Sequence, residues 1–61
     1  MEITVEGEKR EFEGKTIADL LNAMEINPVT VVTKVNGKIK TEEQKLSEGD
    51  RVDFVSVVSG G

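Results

Sequence analysis

One short stretch decides the architecture. In "TIADLLNAME", Ile17, Leu20, Leu21 and Met24 fall at i, i+3, i+4 and i+7, the apolar stripe of one amphipathic helix. Nothing else in the chain has that period. Every other apolar run alternates or is β-branched, so a single helix has to cover one face of a single sheet. Thr16 suits the N-cap, and Asp19 three residues later makes a capping-box start. Asn27-Pro28 is expected to end the helix, because proline pushes the residue before it out of the α region. A Leu and Met stripe of this kind is core rather than a ligand box.

The strands follow from period 2. Ile3 and Val5 alternate with Glu2, Thr4 and Glu6; Gly7 lies in a polar turn, and "KREF" returns with Phe12 facing inward, giving an N-terminal hairpin. After the helix, "VTVVTKV" reads as a strand ending at the Asn36-Gly37 turn, where both residues tolerate positive φ. "KIK" is a short strand, "TEEQ" a polar loop with Leu46 as an apolar anchor beyond it, and Gly49-Asp50 another turn. The last strand is "RVDFVSVV", in which Val52 and Phe54 alternate with Arg51 and Asp53 until Val57-Val58 breaks the pattern. Pairing the first and last strands in parallel at the centre wraps the helix across one face. The expected fold is α+β, a β-grasp with a mixed sheet of four to five strands packed on one main helix. Residues 1–61 are expected to form a single domain with a flexible Gly-Gly tail over about 58–61.

Composition removes most chemistries. The 61 residues include no Cys and no His, so thiolate metal sites, disulfides, cysteine nucleophiles and the commonest general base are excluded. No metal site is expected. Ser47, Ser56 and Ser59 have no base to activate them. Glu42-Glu43 reads as a solvated loop, and Lys34, Lys38 and Lys40 as a basic strip protecting a sheet edge. The net charge of −4 and 3% aromatic content argue against nucleic acid, which demands clustered cations and stacking platforms. No run approaches the roughly 20 apolar residues of a membrane span, and "MEITVEGEKR" lacks the basic and apolar regions of a signal peptide. A soluble, cytoplasmic protein, monomeric when free, is expected.

The terminal Gly60-Gly61 stands apart. At the usual glycine frequency of roughly 7%, two given positions are both Gly in about 0.5% of chains, so chance is a poor explanation. Glycine has no Cβ, and a Gly-Gly stem threads channels too narrow for other residues. The final carboxylate, with a pKa near 3.5, is ionised at neutral pH and resists nucleophiles until a partner activates it, for example as an acyl-phosphate-type anhydride.

The whole chain resembles the ThiS/MoaD-type sulfur carriers, small ubiquitin-like β-grasp proteins. The matching pieces are "ITVEG", "TIADLLNAM", "VNGKI", "LSEGDRVDFV" and the terminal "VVSGG". G-D-x-V followed within about ten residues by a chain-ending Gly-Gly is the most specific of them. The resemblance implies a carrier and not an enzyme. An ATP-dependent adenylating enzyme, similar to ubiquitin-activating enzymes, activates the terminal carboxylate, and sulfur then replaces an oxygen to give a thiocarboxylate. By position, Gly61 is implied to bear the reactive carboxylate and Gly60 to be the tail stem, with Val55, Val57, Val58 and Ser59 docking the partner. Asn36, Gly37, Gly49 and Asp50 match family turn positions. No bound cofactor is implied, since ATP and Mg belong to the activating enzyme. The second partner is a sulfur-acceptor synthase, either thiazole synthase or the molybdopterin synthase large subunit. Length favours thiamine-thiazole biosynthesis, and "FVSVVSGG" keeps only Phe54 of the aromatic, proline-bearing run frequent in the molybdopterin-synthase small subunit. A ubiquitin-like modifier conjugated to lysines through Gly61 is the other alternative.

Overall fold

A computed structural model describes residues 1–57; the expected tail over about 58–61, with Val58, Ser59, Gly60 and Gly61, lies outside the described residues. The elements are β1 (Glu2–Val5), β2 (Glu8–Glu11), α1 (Ile17–Ala23), a 3-10 turn (Pro28–Thr30), β3 (Val31–Val35), β4 (Lys38–Lys40) and β5 (Arg51–Ser56). They form one five-stranded sheet in the order β2-β1-β5-β3-β4. β1 and β5 pair in parallel at its centre, and the remaining pairs are antiparallel. This is the expected β-grasp.

The pleat sorts the side chains. Ile3 and Val5 of β1, Val35 of β3 and Val52 of β5 turn to the face covered by α1, where they meet Ile17, Leu20 and Leu21; Phe12 and Leu46 complete the buried cluster. Ile3, Ile17, Leu20 and Val52 are each at most 1% exposed, so truncating Ile3, Ile17 or Leu20 to Ala is worth about 2–5 kcal/mol of lost stability. Because Val52 belongs to this set, the strand leading toward the chain end is rooted in the best-packed part of the molecule.

Local chemistry explains how α1 is set in place. Thr16 Oγ1 accepts the Asp19 N–H, and the Asp19 carboxylate accepts the Thr16 N–H at 3.1 Å and the Lys15 N–H at 2.9 Å. The remaining free donors of the first turn reach the following polar loop: Ile17 N–H donates to the Gln44 carbonyl and Ala18 N–H to the Glu42 carbonyl, both at 2.9 Å. Leu46 N–H donates to the Lys15 carbonyl at 2.8 Å, and the Leu46 side chain is buried beneath. The 41–46 loop is thus the clamp on the start of the helix.

Three expectations are corrected. The helix ends at Ala23, before Asn27-Pro28, because Glu25 takes the left-handed conformation at φ 57°. Glu25 N–H donates to the Asn22 carbonyl and Ile26 N–H to the Leu21 carbonyl, the paired bonds of a Schellman ending. β3 begins at Val31 and not Val29, since Asn27 caps a 3-10 turn that holds Pro28 at its first position. The basic strip does not exist as one surface. Lys34 lies on the interior strand β3, and the pleat places it with Ile39 on the opposite face from Lys38 and Lys40 of edge strand β4.

Candidate functional site

α1 covers one face of the sheet; among the described residues no element covers the other. Along β5, Val52 faces α1 and Phe54 packs against the core, whereas Asp53 and Val55 point to the open face. Register then builds a small surface there. Val55 lies opposite Val32, Asp53 opposite Lys34, and Lys34 opposite Ile39, so one row crosses β5, β3 and β4 and an apolar pair sits beside it. Val55 is 46%, Val57 49% and Ile39 68% exposed. These exposed apolar side chains lie beside the cross-strand pair of Lys34 and Asp53.

Among the described residues no group of three or more His, Cys, Asp or Glu side chains comes together as metal donors. Among the described residues, the one carboxyl held clearly away from its ordinary value is Asp19, on the helix side. Hydrogen bonds from the Lys15 and Thr16 N–H groups stabilise its charged form and lower its pKa. Glu42 and Glu43 are exposed loop residues, as expected.

Of the residues expected to dock a partner, Val55 lies in β5 and Val57 one residue past its end, and both are exposed. Val58, Ser59, Gly60 and Gly61 lie outside the described residues. Val32 and Ile39 were missed by reading along the chain, because their neighbourhood with Val55 exists only once the strands are in register. Val29, 84% exposed on the 3-10 turn, was also missed; an apolar residue two positions before a strand looks like the strand itself.

The comparisons settle the relationship. The ThiS family model matches residues 1–61, the full length of the sequence. The chain belongs to the ThiS family. A crystal structure of a thiamine biosynthesis protein (ThiS) from Geobacter metallireducens is similar at 25% identity and a TM-score of 0.82, with both chains covered completely. A solution structure of a thiamine biosynthesis protein from the same organism is similar at 26% identity and a TM-score of 0.70, covering all of this chain and 88% of that one. For a ThiS-family chain, the match spans the uncovered sheet face, the strand β5 and the Gly60-Gly61 sequence together. No helix among the described residues is long and apolar enough to cross a membrane.

Proposed function

We propose that this ThiS-family chain is a sulfur carrier for thiamine (thiazole) biosynthesis, and that its working group is the carboxylate of Gly61. The observation that supports this reading most is the family match running through residues 60–61, joined to a β5 anchored by fully buried Val52. The sheet is the scaffold and the chain end is the reacting part. Residues 1–61 act as one β-grasp domain with a Gly-Gly tail over about 58–61.

The chemistry is split between partners. An ionised carboxylate is a poor acyl donor, so an adenylating enzyme binds ATP and Mg and lets a Gly61 carboxylate oxygen attack the α-phosphorus. Pyrophosphate leaves, and the acyl-adenylate forms. Hydrosulfide from a sulfur donor then attacks the acyl carbon, AMP leaves with the electrons of its bond to that carbon, the proton is lost, and Gly61 is left as a thiocarboxylate that a sulfur-acceptor synthase consumes. The carrier contributes binding and orientation: Val32, Ile39, Val55 and Val57 dock the partner, and Gly60 is the stem without a Cβ that enters its channel. A chain with no Cys or His fits this division, since it has no thiolate or imidazole of its own to compete for the activated carbonyl.

Pyrophosphate exchange into ATP tests the first step. With the adenylating enzyme of the same organism, the intact chain should support exchange, and the chain lacking Gly61 should not. Equal exchange with both would remove Gly61 from the chemistry.

A further inference from the structure

The pairing of β5 with β3 runs one rung beyond both strands. Val31 lies opposite Ser56 in the last rung of the ladder. The next contact is made by the 3-10 turn: Val57 N–H donates to the Thr30 carbonyl at 2.8 Å. Thr30 is itself tied down twice to one atom. Its N–H donates to the Asn27 carbonyl at 3.0 Å, and its Oγ1 donates to the same oxygen at 2.7 Å. Asn27 closes the turn from the other side, its Oδ1 accepting the Val29 N–H at 3.0 Å.

Core packing does not account for this bonding. Asn27, Pro28, Val29 and Thr30 are all exposed, and three-residue 3-10 turns are weak by themselves. The turn is built from a side-chain cap, a proline with preset φ and a doubly held threonine. What this assembly fixes is the carbonyl of Thr30, and through it the last described backbone anchor of the chain.

We infer that the Asn27–Thr30 turn is a positioning element that sets where the reactive tail leaves the sheet, with Asn27 acting through Thr30 on Val57. Gly61 is the fourth residue after Val57, so its reach from that anchor is at most about 13–14 Å. The preceding hydrogen-bonded pair of the ladder is Val32–Val55, so releasing Val57 moves the backbone anchor back to Val55 and lengthens the chain beyond it by about 7 Å. In a bound near-attack geometry a misplacement of about 1 Å can cost roughly a hundredfold in rate. The catalytic consequence rests on the carrier reading; the anchoring of Val57 does not.

Asn27→Ala, Asn27→Asp and Thr30→Val separate the two. Amide hydrogen exchange in the free protein reads the anchor, and steady-state adenylation by the activating enzyme of the same organism reads its use. In Asn27→Ala the Val57 amide should exchange about threefold faster or more, while the Val52 amide is unchanged, as expected for loss of a cap. The kcat for adenylation should fall by a similar factor and KM for the carrier should change less than kcat, because Val32, Ile39 and Val55 stay in register. Asn27→Asp keeps the cap acceptor and should restore both. Thr30→Val removes only the hydroxyl bond and should show the same direction if Asn27→Ala proves too unstable to measure. Unchanged Val57 exchange in both Asn27→Ala and Thr30→Val overturns the inference, and so does faster exchange with wild-type kcat. A wild-type chain that is never adenylated, yet shows Asn27-dependent protection of Val57, contradicts the carrier reading and leaves the anchor standing.

Discussion

Asn36 and Arg51 are bonded to each other twice: Asn36 N–H donates to the Arg51 carbonyl at 2.7 Å, and Arg51 N–H donates to Asn36 Oδ1 at 3.0 Å. The same asparagine donates through Nδ2 to Asp50 Oδ1 at 3.1 Å, while Asp50 Oδ2 accepts the Ser47 N–H at 2.7 Å. One side chain therefore links the β3–β4 hairpin to the turn that launches β5. It also holds φ 53° in that hairpin, a conformation asparagine tolerates better than most residues.

Asn36→Ala should lose the side-chain bonds and add left-handed strain, a total of about 2–3 kcal/mol. Asn36→Gly relieves the strain and should lose only about 1 kcal/mol. Urea unfolding checks both, with an unchanged m-value confirming that native stability moved. Equal losses for Ala and Gly would mean that the backbone conformation at 36 is immaterial.

Glu25 and Glu6 are the mirror case, since both sit at positive φ (57° and 52°) without asparagine's tolerance. Glu25→Gly, at the Schellman position, and Glu6→Gly, in the β1–β2 turn, should each stabilise the fold by about 0.5–1 kcal/mol. A rise in urea midpoint reads the effect. A fall in both would show that the carboxylates make compensating interactions.

The Cβ of Gly14→Ala would lie 2.7 Å from Asp19 Cβ and closer still to the tip of the Phe12 ring. Both neighbours are constrained, Phe12 by burial and Asp19 by its capping bonds. The variant should lose about 1–3 kcal/mol, the usual range for overpacking. A thermal midpoint equal to that of the parent would mean that the ring moves aside freely.

Asp19 gives the fold an acid-sensitive element. Its carboxyl is held below the ordinary 3.8 by hydrogen bonds from the Lys15 and Thr16 N–H groups. A pKa lowered by folding contributes stability that is fully present above the unfolded value. That stability is lost as pH falls through the folded value, so the window lies below about pH 4. Asp19→Asn should flatten this part of the acid limb and lower stability at neutral pH. An acid limb identical to that of the parent would contradict the assigned hydrogen bonds.

How much of this could be read along the chain depends on how local each signal is. The Thr16–Asp19 capping box, the Asn36-Gly37 turn and the alternation of Val52 and Phe54 are short-range patterns, and the structure has all three. The early helix ending was hidden because a glutamate at residue 25 does what glycine normally announces. The start of β3 was hidden because Val29 and Thr30 are strand-prone residues recruited into a 3-10 turn by Asn27. The apolar surface beside the end of β5 is only partly visible along the chain. Val55 and Val57 lie next to the tail in sequence, whereas Val32 and Ile39 join them only through cross-strand register.

The central claim concerns one atom pair at the end of the chain, and intact-mass spectrometry addresses it directly. After incubation with the adenylating enzyme, ATP and a sulfur donor, the chain should gain the mass difference between sulfur and oxygen, and fragmentation should place it on Gly61. A mass that never changes with an enzyme shown to be active on its own carrier, or a gain located at any other residue, would contradict it.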